Sequence, residues 1–141
     1  MAMIWRSRIT WVWAMLIAVG QAFAADVEEL INDLNDGNKV TRRGAARSLA
    51  LLGPEAKAAV PALVDALDDD QEQVFFWAAT ALANLGPDAR EATPELIKRL
   101  RRSGRRYRDQ VRLRVVTALT RIGPVAVPQL IDALDDESQS I

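Results

Sequence analysis

The side chains with the clearest chemistry in this chain form a basic segment over residues 98–114. The segment holds nine lysines and arginines against a single acid, Asp109. Guanidinium groups donate several hydrogen bonds in one plane, which suits phosphate and carboxylate groups. The segment therefore predicts contact with an anionic partner, such as an acidic protein surface, an anionic polymer or a lipid headgroup. The alternative is a solvated loop whose charge is offset by Asp68, Asp69 and Asp70 of the neighbouring repeat.

A run of three aromatic residues, Phe75 to Trp77, precedes this segment. Successive helical residues are rotated by about 100°, so one buried face cannot cover all three rings. We expect Phe76 to lie opposite the core and to be the exposed ring, with Phe75 and Trp77 at least half buried. Tyr107 is expected to lie beside the run on the next repeat. We predict one partner-binding patch, with candidate residues Phe75, Phe76, Trp77, Tyr107, Arg101, Arg102, Arg105, Arg106 and Arg108.

Residue types that enzymes commonly require are missing from the sequence. The chain has no histidine and no cysteine, which excludes serine–histidine triads, thiol nucleophiles, and metal sites built on imidazole or thiolate. Its acidic runs, 68–70 and 135–137, fall where helices end, so capping and solubility explain them better than metal binding. We therefore predict a non-enzymatic protein with no cofactor and no metal.

A repeat with a period of about 33 residues, in the range typical of stacked helical units, must position the candidate patch. The phrase Leu30–Leu34 returns at Leu63–Leu67, Leu96–Leu100 and Leu130–Leu134. In each complete copy a second apolar stretch follows and ends in Gly-Pro, so each copy predicts two helices, here termed helix A and helix B. Helices this short are marginal alone, and each pair must bury its stripe on the next pair. The predicted fold is all-α, an α-solenoid of about three and a half repeats over 27–53, 54–86, 87–123 and a partial copy at 124–141.

The copies differ most in the connection between helix A and helix B. Copy three has a longer connection than copies one and two, and the extra residues fall inside the basic segment. Insertions in solenoids lie in loops on one face, often the binding face. The partial copy stops where its helix B would begin, which favours either self-association through this C-terminal repeat or truncation of a longer solenoid.

The phrase V-x-x-x-A-A-x-A-L-x-x-L-G-P, present at Val74–Pro87 and in related form at Val111–Pro124, resembles the HEAT repeats, particularly the short type of phycobilisome (PBS) lyases. The resemblance covers nearly all of the chain after Ala24, and it implies a solenoid that binds other proteins. The resemblance also suggests two enzyme activities. Deoxyhypusine hydroxylases of this kind bind iron through histidine–glutamate pairs, which this chain lacks. Bilin lyases are longer and cytoplasmic, so a lyase accessory subunit is the weaker alternative.

The N-terminal segment, 1–24, does not follow the repeat. Arg6 and Arg8 precede an apolar run over 9–19, and Ala22-Phe23-Ala24 gives a small-x-small cleavage site. This order is typical of a secretory signal, whereas a spanning helix needs about 20 apolar residues. We predict cleavage after Ala24 and an exported repeat domain at 25–141, with an uncleaved membrane anchor as the alternative. For an exported acidic protein, nucleic acid is a poor partner. The predicted function is a binding module or scaffold, or otherwise an envelope-associated structural protein that binds an anionic surface through residues 98–114.

Overall fold

The computed structural model describes residues 26–102 and 108–138, without the side chains of residues 100, 102, 108, 109, 111 and 133–138. All regular structure in this part of the chain is helical. Its α-helices are α1 over 26–34, α2 Lys39–Leu52, α3 Val60–Asp65, α4 Glu72–Leu85, α5 Thr93–Arg102, α6 Arg108–Ile122 and α7 Val127–Ser138. Short 3₁₀ segments lie at Gly53–Ala59, Ala66–Asp68, Gly86–Ala92 and Gly123–Ala126.

The helices form two layers. Helices α2, α4 and α6 pack side by side, α2 on α4 and α4 on α6, and they are the helices B of successive repeats. Helices α3, α5 and α7 are the helices A and pack beneath them, with α1 heading the same layer in the sequence. This arrangement confirms the predicted α-solenoid of stacked helix pairs.

The core is built from leucines and alanines that recur at the repeat spacing. Leu49 of α2 and Leu82 of α4, which hold equivalent positions in successive repeats, are both fully buried. Alanines occupy the positions where helices B approach each other, and their small side chains permit close packing. Ala45, Ala46, Ala78, Ala79 and Ala118 are all at most 2% exposed. Packing of neighbouring repeats therefore supplies the burial that no single short helix could obtain.

A glycine with positive φ ends each helix B. Gly86, for example, has φ 59° and ψ −130° and donates its N–H to the carbonyl of Leu82. The sequence predicts a left-handed helical cap here. The φ agrees, but the ψ lies far from the left-handed helical value. With this ψ the chain turns directly into the 3₁₀ segment that begins Gly86-Pro87, so the turn leads into the next helix A.

Within residues 26–102 and 108–138, no helix combines the length and apolarity needed to cross a membrane. The predicted signal segment, residues 1–24, lies outside the described residues.

Candidate partner-binding site

An arginine of the preceding repeat binds the carboxylates of the acidic loop between α3 and α4. Arg42 Nε donates to Asp69 Oδ2 over 2.7 Å, and its Nη2 lies 2.8 Å from Asp70 Oδ1. Arg42 Nη1 also donates to the carbonyl of Asp36, over 3.1 Å. Partial burial raises the pKa of Asp69, but hydrogen bonds from Arg42 and from the Gln71 backbone N–H outweigh it, so the net pKa lies below its usual value. The same hydrogen bond raises the pKa of Arg42, because it stabilises the charged guanidinium.

The described part of the basic segment is partly engaged within the molecule. Lys98 Nζ lies 2.9 Å from Glu95 Oε1, and Arg99 Nη1 lies 3.9 Å from Asp68 Oδ1. The guanidinium of Arg99 also lies over the ring of Phe75, at 5.1 Å from its centroid. The acidic loop therefore offsets part of the basic segment, as one of the two interpretations expected.

Several predicted site residues fall outside what the structure describes. Tyr107, Arg105 and Arg106 lie within 103–107, which is not described, and neither are the side chains of Arg102 and Arg108. Arg101 is exposed at the end of α5. The predicted proximity of Tyr107 to the aromatic run stays a prediction.

The three aromatic rings of α4 are placed differently from one another. Phe75 is 1% exposed and belongs to the core, so its ring does not form part of the surface. Phe76 and Trp77 are both partly buried, and their rings meet edge to face at 5.2 Å. The expectation that Phe76 would be the exposed ring is wrong, because Arg114 of the next helix B covers its face at 3.9 Å.

Two arginines complete a row that crosses all three helices of the B layer. Arg47 of α2 lies 5.7 Å from the Trp77 ring centroid on one side, and Arg114 of α6 stacks on Phe76 on the other. We call Arg47, Trp77, Phe76 and Arg114 the arginine–aromatic ridge. Each cation–π contact stabilises an exposed pair by about 0.5–1 kcal/mol. The ridge therefore joins three repeats through side chains on the surface of one layer.

Two further arginines on the same layer bind neutral amides. Arg43 of α2 donates to Gln73 Oε1 over 2.7 Å, and Arg121 of α6 donates to Asn84 Oδ1 over 3.3 Å. Asn84 in turn donates to the carbonyl of Ala50, over 2.9 Å. These contacts bridge neighbouring helices B, and none of them neutralises a positive charge.

The basic residues of the described part fall into two groups, with and without a nearby carboxylate. Among the described residues, Arg42, Arg99, Lys57 and Lys98 each have a carboxylate within 4.0 Å. In the same part of the chain no carboxylate lies that close to the B-layer set, which is Arg43, Arg47, Arg114 and Arg121. The B layer thus presents two aromatic rings and four arginines that form no ion pair within the described structure.

Sequence reasoning missed Arg43, Arg47 and Arg121 as members of the site. The charge of each helix, counted separately, could have indicated these arginines. Helix α2 has four basic residues and no acid, and α4 has one acid, Glu72. The described part of α1, over 26–34, has four acids and no basic residue. The overall net charge of −1 hides this difference between α1 and α2.

The polar groups of the site are guanidinium groups, amides and hydroxyls, which donate and accept hydrogen bonds. The described residues contain no group of three or more carboxylates placed to hold a metal ion. A surface of aromatic rings and arginines is typical of protein interfaces, where tyrosine, tryptophan and arginine are enriched.

Two known family models together match residues 27–136, which cover the solenoid. Residues 27–110 match the family model for HEAT repeats, and residues 111–136 match the one for the PBS lyase HEAT-like repeat. A search of curated proteins returns no significant match. HEAT repeats generally mediate protein–protein interaction, and families built from them are typically non-catalytic. With the two-layer stack of helix pairs and the regular spacing of the copies, these matches show that the chain belongs to the HEAT-repeat family.

Proposed function

We propose that this protein is an exported, non-catalytic binding module that holds a protein partner on its B layer, around the arginine–aromatic ridge. The observation that carries the proposal is the ridge itself, because it places two partly buried rings between two guanidinium groups across three consecutive repeats. Partner binding would bury the remaining exposed parts of these rings, and such central aromatic groups commonly dominate binding energy.

The solenoid stabilises this surface from below. Phe75 and Ala79 of α4 are buried, so the helix is fixed while Phe76 and Trp77 remain at the surface. A site on rigid packed helices loses little conformational entropy when a partner binds. The proposed site therefore uses regular positions of the repeat for packing and altered positions for recognition.

Replacement of Phe76 by alanine is expected to weaken partner capture at least tenfold, because it removes one ring of the ridge and the platform for Arg114. The measurement is affinity capture from the envelope fraction of the producing cells, with bound proteins quantified by mass spectrometry. The matched control is Val125→Ala, which truncates an apolar residue that is 48% exposed in the 3₁₀ segment before α7. Equal recovery of the same partners by wild type and by Phe76→Ala would exclude the ridge as the site. Thermal denaturation of each variant verifies that the fold is retained.

The alternative of an anionic surface bound through residues 98–114 has less support. Lys98 and Arg99 already have acidic partners inside the molecule. Arg114, which ends the segment, belongs to the B-layer set and contacts Phe76. A lyase accessory role has no supporting observation at the site. Self-association through the C-terminal repeat stays a prediction, since the side chains of 133–141 lie outside the described residues.

Export is the part of the proposal that rests on the sequence alone. We expect a full-length chain with a C-terminal tag to be cleaved after Ala24 and recovered outside the cytoplasm, because signal peptidase accepts small residues at Ala22 and Ala24. N-terminal sequencing of the recovered protein checks this. Ala24→Leu is expected to block cleavage, and Ala18→Leu in the apolar run serves as the matched control. Recovery of an intact chain that starts at Met1 in the cytoplasm would contradict export.

A further inference from the structure

We infer that the partner of the B layer presents an acidic, extended segment that lies across α2, α4 and α6. Its carboxylates would meet Arg47 and Arg114, and an apolar residue between them would contact Phe76 and Trp77. This inference rests on the proposed function and names the chemistry of the partner. Two observations support the inference, the charge of the surface and the spacing of the arginine–aromatic ridge.

The charge argument begins with what the ridge arginines do in the free protein. Within the described residues, Arg47 and Arg114 contact aromatic faces and have no ion-pair or hydrogen-bond partner. Stacking uses the flat face of a guanidinium, while its five N–H donors lie in the plane and point outward. Both arginines are thus positioned by the rings and still able to bind a carboxylate with two parallel hydrogen bonds.

The rest of the B-layer surface is also positively charged. In the described part of the chain, Arg43 and Arg121 bind the amide oxygens of Gln73 and Asn84, so four arginines without a carboxylate within 4.0 Å lie on the same layer as the two rings. The acid of α4, Glu72, lies in its first turn at the edge of the layer. An acidic segment is attracted to such a surface, and a basic segment is repelled.

The geometry of the ridge sets an upper limit to the spacing of the partner's acids. The distances from Arg47 to Trp77, from Trp77 to Phe76 and from Phe76 to Arg114 limit the separation of the two guanidinium carbons to about 15 Å. An extended peptide rises about 3.3 Å per residue and places alternate side chains on one face. Residues i, i+2 and i+4 therefore share a face and span about 13 Å. The pattern acid–x–apolar–x–acid has the widest same-face spacing that fits this limit, and we assign it to the segment.

A peptide selection tests the inference with the full chain. A library of random twelve-residue peptides is selected on wild type, on Arg47→Gln/Arg114→Gln and on Phe76→Ala, all immobilised at low salt. Arg90→Gln, which removes an exposed charge in the 3₁₀ segment Gly86–Ala92, is the matched control. Affinities of enriched peptides are then measured by fluorescence anisotropy at two salt concentrations.

We expect wild type and Arg90→Gln to enrich peptides with two acids four positions apart around an apolar residue. The double arginine variant is expected to bind those peptides at least tenfold more weakly, and higher salt should weaken wild-type binding as well. Peptides whose glutamates are replaced by glutamine should lose most of their affinity. Enrichment of peptides without excess acid, or no loss in the double variant, would overturn the inference.

The same experiment separates this inference from the proposed function. If enriched peptides lack acids but still depend on Phe76, the B layer is the binding site and only the acidic partner is wrong. If no peptide distinguishes wild type from Phe76→Ala, the proposed site itself fails. Tighter, arginine-dependent binding of heparin, single-stranded DNA or vesicles with anionic lipid would overturn the acidic protein segment in favour of that class. Arginine-dependent dimerisation in sedimentation would do so in favour of a second copy.

Discussion

Replacing Phe75 by alanine is expected to destabilise the solenoid by about 3–5 kcal/mol, the range for loss of a buried aromatic side chain. Phe75 is 1% exposed and is the largest fully buried side chain of the described core. Its ring also supports the guanidinium of Arg99 from the next repeat. Domains are typically stable by only about 5–15 kcal/mol, so this loss removes a large fraction of the total.

The neighbouring phenylalanine provides the control for this prediction. Phe76→Ala removes the same atoms at the next position of α4, but its ring is only partly buried and is covered by Arg114. Its cost should be smaller than that of Phe75→Ala, because part of the ring is exposed, and it should include about 0.5–1 kcal/mol from the stacked arginine. Urea denaturation followed by circular dichroism measures both free energies of unfolding. Equal destabilisation by the two variants would mean that the assignment of Phe75 to the core and Phe76 to the surface is wrong.

Two glycine-to-alanine changes are expected to alter stability in opposite directions. Gly86→Ala should destabilise by about 1–3 kcal/mol, because φ 59° with ψ −130° is a conformation that residues with a Cβ rarely adopt. The new Cβ would also lie 3.4 Å from the backbone oxygen of Arg121. Gly44→Ala should stabilise by about 0.4–1 kcal/mol, because Gly44 lies inside α2, where alanine is the better helix former.

The urea concentration at the midpoint of denaturation reports the change in stability of Gly86→Ala and of Gly44→Ala, provided that the slope of the transition is unchanged. Nothing lies within 4 Å of a Cβ built at Gly44, so no clash should offset the gain in helix propensity. A shift of both midpoints in the same direction would contradict the different backbone roles assigned to the two glycines.

The fold could be predicted from the sequence because its signal is local and repeated. Leucines and alanines at helical spacing recur in every copy, and Gly-Pro marks the end of each helix B. Pro61 favours either a separate turn or a kinked extension before it, since proline is best tolerated at the start of a helix, and the structure has the 3₁₀ segment Gly53–Ala59 there. The ψ of Gly86 could not be predicted, because it depends on how the chain enters the next helix rather than on the residue type.

The site could be predicted only in part, since its contacts join residues far apart in the sequence. The position of Phe76 on one helix suggests exposure, but Arg114, which belongs to the following helix B, covers its ring. Arg47 reaches Trp77 from the preceding helix B. Only stacking of the repeats brings these side chains together, so single-helix geometry misplaces Phe76 and omits Arg47.

The uneven charge of the described helices has a kinetic consequence. In the described part of the chain, the B-layer set of arginines has no carboxylate within 4.0 Å, whereas α1 has only acids among its charged residues 26–34. The acidic partner that we propose would be attracted to these arginines before any contact forms, and it would be repelled from the side of α1. Such steering accelerates productive encounters at low ionic strength. In the proposed complex, charge would orient the partner during the approach, and the aromatic rings would then determine how long it stays bound.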